Sequence, residues 1–245
     1  MMTCEGKTAI VTGAAGKGIG RSVALTLARE GAKVVVNYRN SESSALEMVG
    51  HIRGQGGQAV AVKADVFVAA ECRALYEKSC EAFGHVDICI IGPGGGWHPE
   101  PPDKLNAEGA LLDVQQELAP IYHLLPLVLP GMYERKSGRV VAIGLEATKN
   151  SPAYAYNLAK VAREQAVLMA MRKAWKHNVT LNVVGPGPLA QIATLAEAVE
   201  LCGHGPVWRN RKDLTAQDVA EGIAFLCSEA GQYVSGCVLP YVFHN

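Results

Sequence analysis

The sequence has no excess charge of either sign: 23 Lys and Arg stand against 23 Asp and Glu, a net charge of zero. A binder of nucleic acid or of an anionic membrane surface needs a basic face, so no nucleic-acid partner is expected. It also lacks an uninterrupted apolar run of the length a membrane helix requires, about 18 residues, so no membrane partner is expected. Among its seven cysteines, Cys4, Cys72, Cys80, Cys89, Cys202, Cys227 and Cys237, no pair has C-x-x-C spacing. No metal site is therefore expected. An odd number of scattered thiols fits reduced cysteines packed as small hydrophobes in a cytoplasmic protein. The opening residues, Met1 to Lys7, lack a basic stretch followed by an apolar one, so no secretory signal is expected.

Hydrophobic residues make up 49% and charged residues 19% of the chain, too apolar a balance for disorder. Short β-branched runs alternate with stretches of helical period. Strands are predicted over 7–12, 33–37, 59–64, 86–91, 139–143 and 179–184, with a last one inside 234–242. Helices are predicted over 19–30, 70–83, 153–177 and 216–228, and Ala45, Met48, Val49 and Ile52 mark the buried face of another. The early strands are apolar on both faces, as expected for a parallel sheet covered on both sides. The alternation predicts one α/β domain over 1–245, a doubly wound parallel sheet of Rossmann-like type with helices on both faces.

The segment Val11-Thr12-Gly13-Ala14-Ala15-Gly16-Lys17-Gly18-Ile19-Gly20 follows the first strand and opens the first helix. Glycines there let a pyrophosphate approach the backbone, and the helix start offers free N–H groups. Gly13, Ala15, Lys17, Gly18 and Ile19 are thus candidate cofactor-binding residues. The alternative is a tight strand–helix turn without ligand. The second strand ends Asn37-Tyr38-Arg39, where an NAD site would usually place a carboxylate on the ribose 2′-OH. Asn37 with Arg39 and Lys17 favours a 2′-phosphate, so NADP(H) is preferred and NAD(H) stays possible. Alternatively, both cations are solvated surface charges. Asp65 either contacts the adenine or caps the next helix.

These residues, with Ala64-Asp65-Val66, Leu129-Pro130-Gly131-Met132, Tyr156-x-x-x-Lys160 and Asn182-Val183-Val184-Gly185-Pro186-Gly187-Pro188, resemble the short-chain dehydrogenase/reductase family over essentially the whole chain. Within it they look like the branch of 3-oxoacyl-carrier-protein reductases and glucose dehydrogenases. The resemblance implies hydride transfer between a nicotinamide cofactor and a small-molecule or acyl carbonyl. It implies further cofactor contacts at Val66, Gly92, Tyr156, Lys160, Pro186 and Gly187, and a homo-oligomer, dimer or tetramer. Tyr156 is the implied proton donor. A free phenol has a pKa near 10, too high for work at neutral pH. A lysine four residues on shares its helix face, and its charge, with that of the oxidised nicotinamide, is expected to lower that pKa. Tyr154 has no such partner, because position 158 is Leu158.

The chain departs from the family in four places. Its glycine turn is one residue longer. The loop after the fourth strand reads Ile91-Gly92-Pro93-Gly94 and runs on through Gly95, Gly96 and Trp97 in place of N-N-A-G. Glu117 stands where the family has its active-site Asn, able to pair with Lys160, to hold water or to lie on the surface. Leu145 replaces the substrate-orienting serine. Thr148, Ser151, Tyr154 and His98 are candidate substitutes for that hydroxyl. Pro126 is expected to kink the helix of the dimer interface. The segment 188–212 reads as a substrate loop or lid, and Trp97, His98 and 189–208 are expected to line or cover the cleft. Two other readings remain at this level: a catalytically silent relative that binds NADP(H) as a sensor or partner subunit, and chemistry in which Glu117 or Glu146 is the base.

Overall fold

The computed structural model describes residues 3–96, 99–146, 153–204 and 214–241. Seven strands form one sheet: β1 (Thr8–Val11), β2 (Lys33–Tyr38), β3 (Ala59–Lys63), β4 (Ile88–Ile91), β5 (Gly138–Ile143), β6 (Val179–Pro186) and β7 (Val238–Tyr241). Their order is β3-β2-β1-β4-β5-β6-β7, and each neighbouring pair runs parallel. This is the Rossmann-like α/β fold expected from the alternation.

Strand alternation divides the core between the two faces of the sheet. Ala9, Val11, Val34 and Val36 face α1 (Ile19–Arg29), α2 (Glu42–Gly54) and α8 (Ala216–Cys227), where they meet Val23, Leu27, Val49 and Ile223. Ile10, Val35 and Cys89 face the other layer, α3 (Ala69–Phe83), α4 (Ala107–Arg135) and α5 (Tyr154–Leu168), and meet Leu75, Ile121, Leu124 and Val167. β1, β4, β5 and β6 are buried along their whole length, because helices leave neither face to water.

One predicted element differs from the sequence expectation, and two others carry detail beyond it. α4 runs unbroken for 29 residues through Pro120, Pro126 and Pro130. Pro126 and Pro130 point outward, so the carbonyls they leave without an N–H partner lie on the side open to water. Asn106 caps this helix, its Oδ1 accepting from Glu108 N at 3.1 Å and Gly109 N at 3.3 Å. The predicted helix over 153–177 is two: α5, then a turn, then α6 (Met171–Trp175), which packs under β6. The described part of 188–212 holds α7 (Leu195–His204), tied to α1 by Arg29 Nη1 donating to the Cys202 carbonyl at 2.8 Å.

Among the described residues, no helix is long and apolar enough to cross a membrane, and no group of three His, Cys, Asp or Glu could hold a metal ion.

Candidate active site at the carboxyl ends of the strands

The sheet order reverses between β1 and β4, and the loops leaving their carboxyl ends open the crevice where ligands bind in doubly wound sheets. Thr12 ties the two strands together. Its Oγ1 donates to the Ile90 carbonyl at 2.9 Å and accepts from Gly92 N at 2.8 Å. The turn from Gly13 to Gly18 then folds closely on itself. Gly13 has φ +64°, a conformation that favours glycine, and a Cβ on Gly20 would come within 2.7 Å of the Gly13 carbonyl oxygen. The extra residue of the turn is absorbed by Arg21, whose Nε donates to the Gly16 carbonyl at 2.9 Å. Gly18 starts α1 with no side chain capping its N–H groups, and Gly16, Lys17 and Gly18 are exposed while Ala15 is buried and Ile19 half-buried. Open backbone N–H groups beside close-packed glycines fit the phosphates of a dinucleotide.

Asn37 sits behind this turn. Its Oδ1 accepts from Gly13 N at 3.1 Å, while Nδ2 donates to Val62 and Ala64 carbonyls at 3.3 and 3.0 Å. Both ends of the carboxamide are engaged, so Asn37 braces Gly13 against β3. Arg39 is exposed beside it, with Nη1 3.6 Å from Asp65 Oδ2. Asp65, just after β3, is thus its partner. Asp65 Oδ1 also accepts from Phe67 N at 3.0 Å, a local turn contact. Val66 is buried, and its carbonyl accepts from Cys72 Sγ at 3.3 Å.

On the other side of the crevice, α5 presents Tyr156 and Lys160 one turn apart, with Lys160 Nζ 5.3 Å from the centre of the Tyr156 ring. Glu117 reaches them from α4. Of the expected alternatives it takes the first: its Oε1 lies 2.7 Å from Lys160 Nζ, and its Oε2 lies 3.2 Å from Arg163 Nη1. Glu117 is 1% exposed and Arg163 fully buried. Arg163 also holds the loop after β4, with Nη2 donating to Ile91 and Gly92 carbonyls at 2.6 and 3.2 Å and Nη1 to the Pro93 carbonyl at 2.7 Å. That loop closes on the same cluster, for a Cβ on Gly94 would overlap the Glu117 carboxylate. A carboxylate clamped between two cations does not suit a freely acting base.

The Tyr156 phenol is not lowered as the Tyr–Lys spacing predicts. Burial pushes it up, Glu117 and Asp113 push it further, and Arg163 pulls it down. Burial is the largest cause, and the Glu117 carboxylate that pairs with the Lys160 ammonium adds to it. Lys160 itself is pulled below its ordinary value by burial, while Glu117 works in the opposite direction.

Leu145, two residues after β5, donates its N–H to Glu164 Oε1 at 3.3 Å. Glu164 is buried one turn after Lys160, and burial raises its carboxyl above the usual range. Tyr154 opens α5, half its ring exposed, with its N–H donating to the Glu100 carbonyl at 3.0 Å. Pro186 ends β6 buried, and its carbonyl accepts from Glu146 N at 3.3 Å, while Gly187 N donates to Tyr241 at 2.9 Å. Trp97, His98, Thr148, Ser151 and Trp208 lie outside the described residues.

Arg163, Glu164 and Asp113 are members of this site that sequence reasoning passed over. The available signal was helical spacing. Positions 156, 160, 163, 164 and 167 share one face of α5, so charges at 163 and 164 fall on its buried stripe. A cleft of about 270 Å³ adjoins the glycine turn, lined by Ala15, Lys17 and Arg21, by α2 and by 193–195. The larger cavity, about 510 Å³, lies at the amino ends of β1 and β2, around Gly31, Lys33, His51 and Cys202, and Tyr156 does not line it.

A family model of short chain dehydrogenases matches residues 7–199. The 7α-hydroxysteroid dehydrogenase of Escherichia coli (strain K12) is 33% identical over 242 residues, which cover 96% of this chain and 92% of that one. The cyclohexanol dehydrogenase of Rhodococcus sp. (strain TK6) is 33% identical over 259 residues, covering 96% and 94%. A solved 7α-hydroxysteroid dehydrogenase complexed with NADH and 7-oxo glycochenodeoxycholic acid matches with a TM-score of 0.83 at 30% identity, covering 98% of this chain and 94% of that one.

Proposed function

The chain belongs to the short chain dehydrogenase family and is an NAD(P)-dependent oxidoreductase of carbonyl and alcohol pairs, and on that premise we propose that it is an NADP(H)-preferring reductase in which Tyr156 gives the proton to the carbonyl oxygen. The observation that carries this reading is the placement of Tyr156 and Lys160 on one face of α5, with the ammonium 5.3 Å from the ring. The bound nicotinamide supplies the hydride. The glycine turn from Gly13 to Ile19 cradles the phosphates, braced by Asn37. Arg39 and Lys17, both exposed, reach the 2′-phosphate. Gly92, Val66, Pro186 and Gly187 border the rest of the cofactor. Lys160 stands beside the phenol, and Glu117 holds Lys160 in place. Tyr156 donates its proton as the carbonyl accepts the hydride, and takes it back when the alcohol is oxidised.

The relatives, a hydroxysteroid and a cyclohexanol dehydrogenase, favour a secondary alcohol or ketone on a ring over an open acyl chain. A homo-oligomer is favoured by the adjoining helices α4 and α5, which leave Leu111, Tyr122, Leu158 and Val161 exposed. A second copy of the chain would cover them. The seven unpaired thiols fit a reducing, cytoplasmic setting.

The test is Tyr156→Phe, assayed with cyclohexanol and a 7α-hydroxysteroid as alcohols and NADP⁺ or NAD⁺ as oxidant. Turnover should be abolished while NADPH still binds, read by nucleotide fluorescence. Turnover retained in Tyr156→Phe would sink the assignment.

A further inference from the structure

A lysine beside a neutral neighbour would present Tyr156 with one positive charge. Here the neighbour is the buried carboxylate of Glu117, 2.7 Å from Lys160 Nζ, and the Lys160–Glu117 pair by itself is neutral. Arg163 lies one helical turn beyond Lys160 on the same face of α5, 3.2 Å from the other oxygen of Glu117. Besides Glu117 the cluster holds the buried carboxyls of Asp113 and Glu164, and Arg163 is the cation whose pull on the phenol opposes the push of Glu117 and Asp113. A fully buried guanidinium is tolerated only where most of its donors are matched. The carbonyls of Ile91, Gly92 and Pro93, with Glu117, match Nη1 and Nη2, while Nε has no hydrogen-bond partner among the described residues.

We propose that Arg163 is a positioning residue for the reaction: it returns to the Tyr156 site the positive charge that Glu117 removes, and with the same guanidinium it fastens the loop after β4 to α5. This rests on the reading of Tyr156 as the proton donor. Support comes from the phenol, which Glu117 pushes up and Arg163 pulls down. It also explains why a carboxylate can occupy the Glu117 position without disabling the Tyr–Lys pair. Glu117 and Arg163 act as a compensated unit, in which the loss of either member alone moves the phenol, in opposite directions, and the loss of both restores it.

The experiment follows the phenolate step by near-ultraviolet difference absorbance in the full chain, with Tyr156→Phe identifying which step belongs to Tyr156. No substrate is needed. Arg163→Leu should move that step to higher pH by about one unit or more, the size expected for one nearby charge. Glu117→Gln should move it down, and Glu117→Gln/Arg163→Leu should bring it back close to the parent position. Arg163→Lys, which keeps the charge, should leave it in place while weakening the loop. A Tyr156 step unmoved by Arg163→Leu, or a double variant that stays with Arg163→Leu, overturns the proposal. If Arg163→Leu does not fold, judged by thermal melting, the remaining variants decide. The step must then fall in Glu117→Gln and hold in Arg163→Lys, and failure of either overturns it. Turnover surviving in Tyr156→Phe would instead overturn the functional reading and leave this charge compensation standing.

Discussion

Lys160 Nζ and Glu117 Oε1 lie 2.7 Å apart in a site from which water is nearly excluded. The pair is held from a third side by Gly94, where an added Cβ would overlap the carboxylate. Glu117 cannot swing away cheaply, since both of its oxygens are engaged by cations. Gly94→Ala should therefore displace the loop or the carboxylate, at a cost of about 1–3 kcal/mol as for other overpacked sites. Turnover should fall more than NADPH affinity does. Thermal melting with parallel kinetics checks this, and an unchanged Gly94→Ala enzyme would show that the loop is not seated on Glu117.

The direction of the Tyr156 shift sets a pH dependence. Alcohol oxidation needs the phenolate, and burial, Glu117 and Asp113 hold the phenol above its ordinary value against the pull of Arg163, with Lys160 paired to Glu117 beside it. The phenolate fraction then grows with pH throughout the neutral range. The kcat/KM for cyclohexanol oxidation should rise about tenfold per pH unit from neutrality upward. Ketone reduction, which uses the protonated phenol, should stay level over the same range. A plateau in oxidation already reached at neutral pH would assign the base to another group.

Where local pattern and long-range packing agree, the structure follows the sequence. β2 is a run of β-branched residues and α1 follows a glycine turn, and both lie where period and turn chemistry put them. α4 is obscured because its three prolines argue locally against a helix, while its buried stripe, including Ile121, Leu124 and Val128, and the outward placement of Pro126 and Pro130 outweigh them. The break between α5 and α6 has neither Gly nor Pro to announce it. In the site, the Tyr156–Lys160 spacing is legible, but the role of Glu117 depends on Arg163. A charge three residues after Lys160 resembles a solvated surface position until the facing helix and the loop after β4 are in place. Asn37 was legible as a polar residue at the right strand end. That its carboxamide turns inward to Gly13, Val62 and Ala64 is decided by the neighbouring strand.

Cofactor preference should respond to Arg39 and Asp65 in opposite directions. Arg39 is exposed, and its 3.6 Å contact with Asp65 is loose, leaving the guanidinium available to a 2′-phosphate. A charge-assisted hydrogen bond of this kind contributes about 1.5–3 kcal/mol. Arg39→Ala should weaken NADPH by about tenfold or more while leaving NADH nearly unchanged. Asp65→Asn, which frees Arg39 from its partner, should tighten NADPH. Fluorescence titration with both nucleotides reads the two effects. Equal losses for NADPH and NADH in Arg39→Ala would place the 2′-phosphate elsewhere.

Leu145 offers the last prediction. It lies two residues after β5, with its backbone held by the N–H donated to Glu164 Oε1 at 3.3 Å. A hydroxyl there would stand at the position where the resemblance places the substrate-orienting serine, and one preorganised donor at a developing oxyanion contributes roughly 10²–10³ in rate. Leu145→Ser should raise kcat for ketone reduction, by up to about that factor, with NADPH affinity unchanged. The gain should vanish in Leu145→Ser/Tyr156→Phe, since the hydroxyl assists a proton transfer that Tyr156 performs. A gain that survives the loss of Tyr156 would mean that the new serine supplies the proton itself. No gain in the single variant would mean that the carbonyl oxygen does not sit against the end of β5.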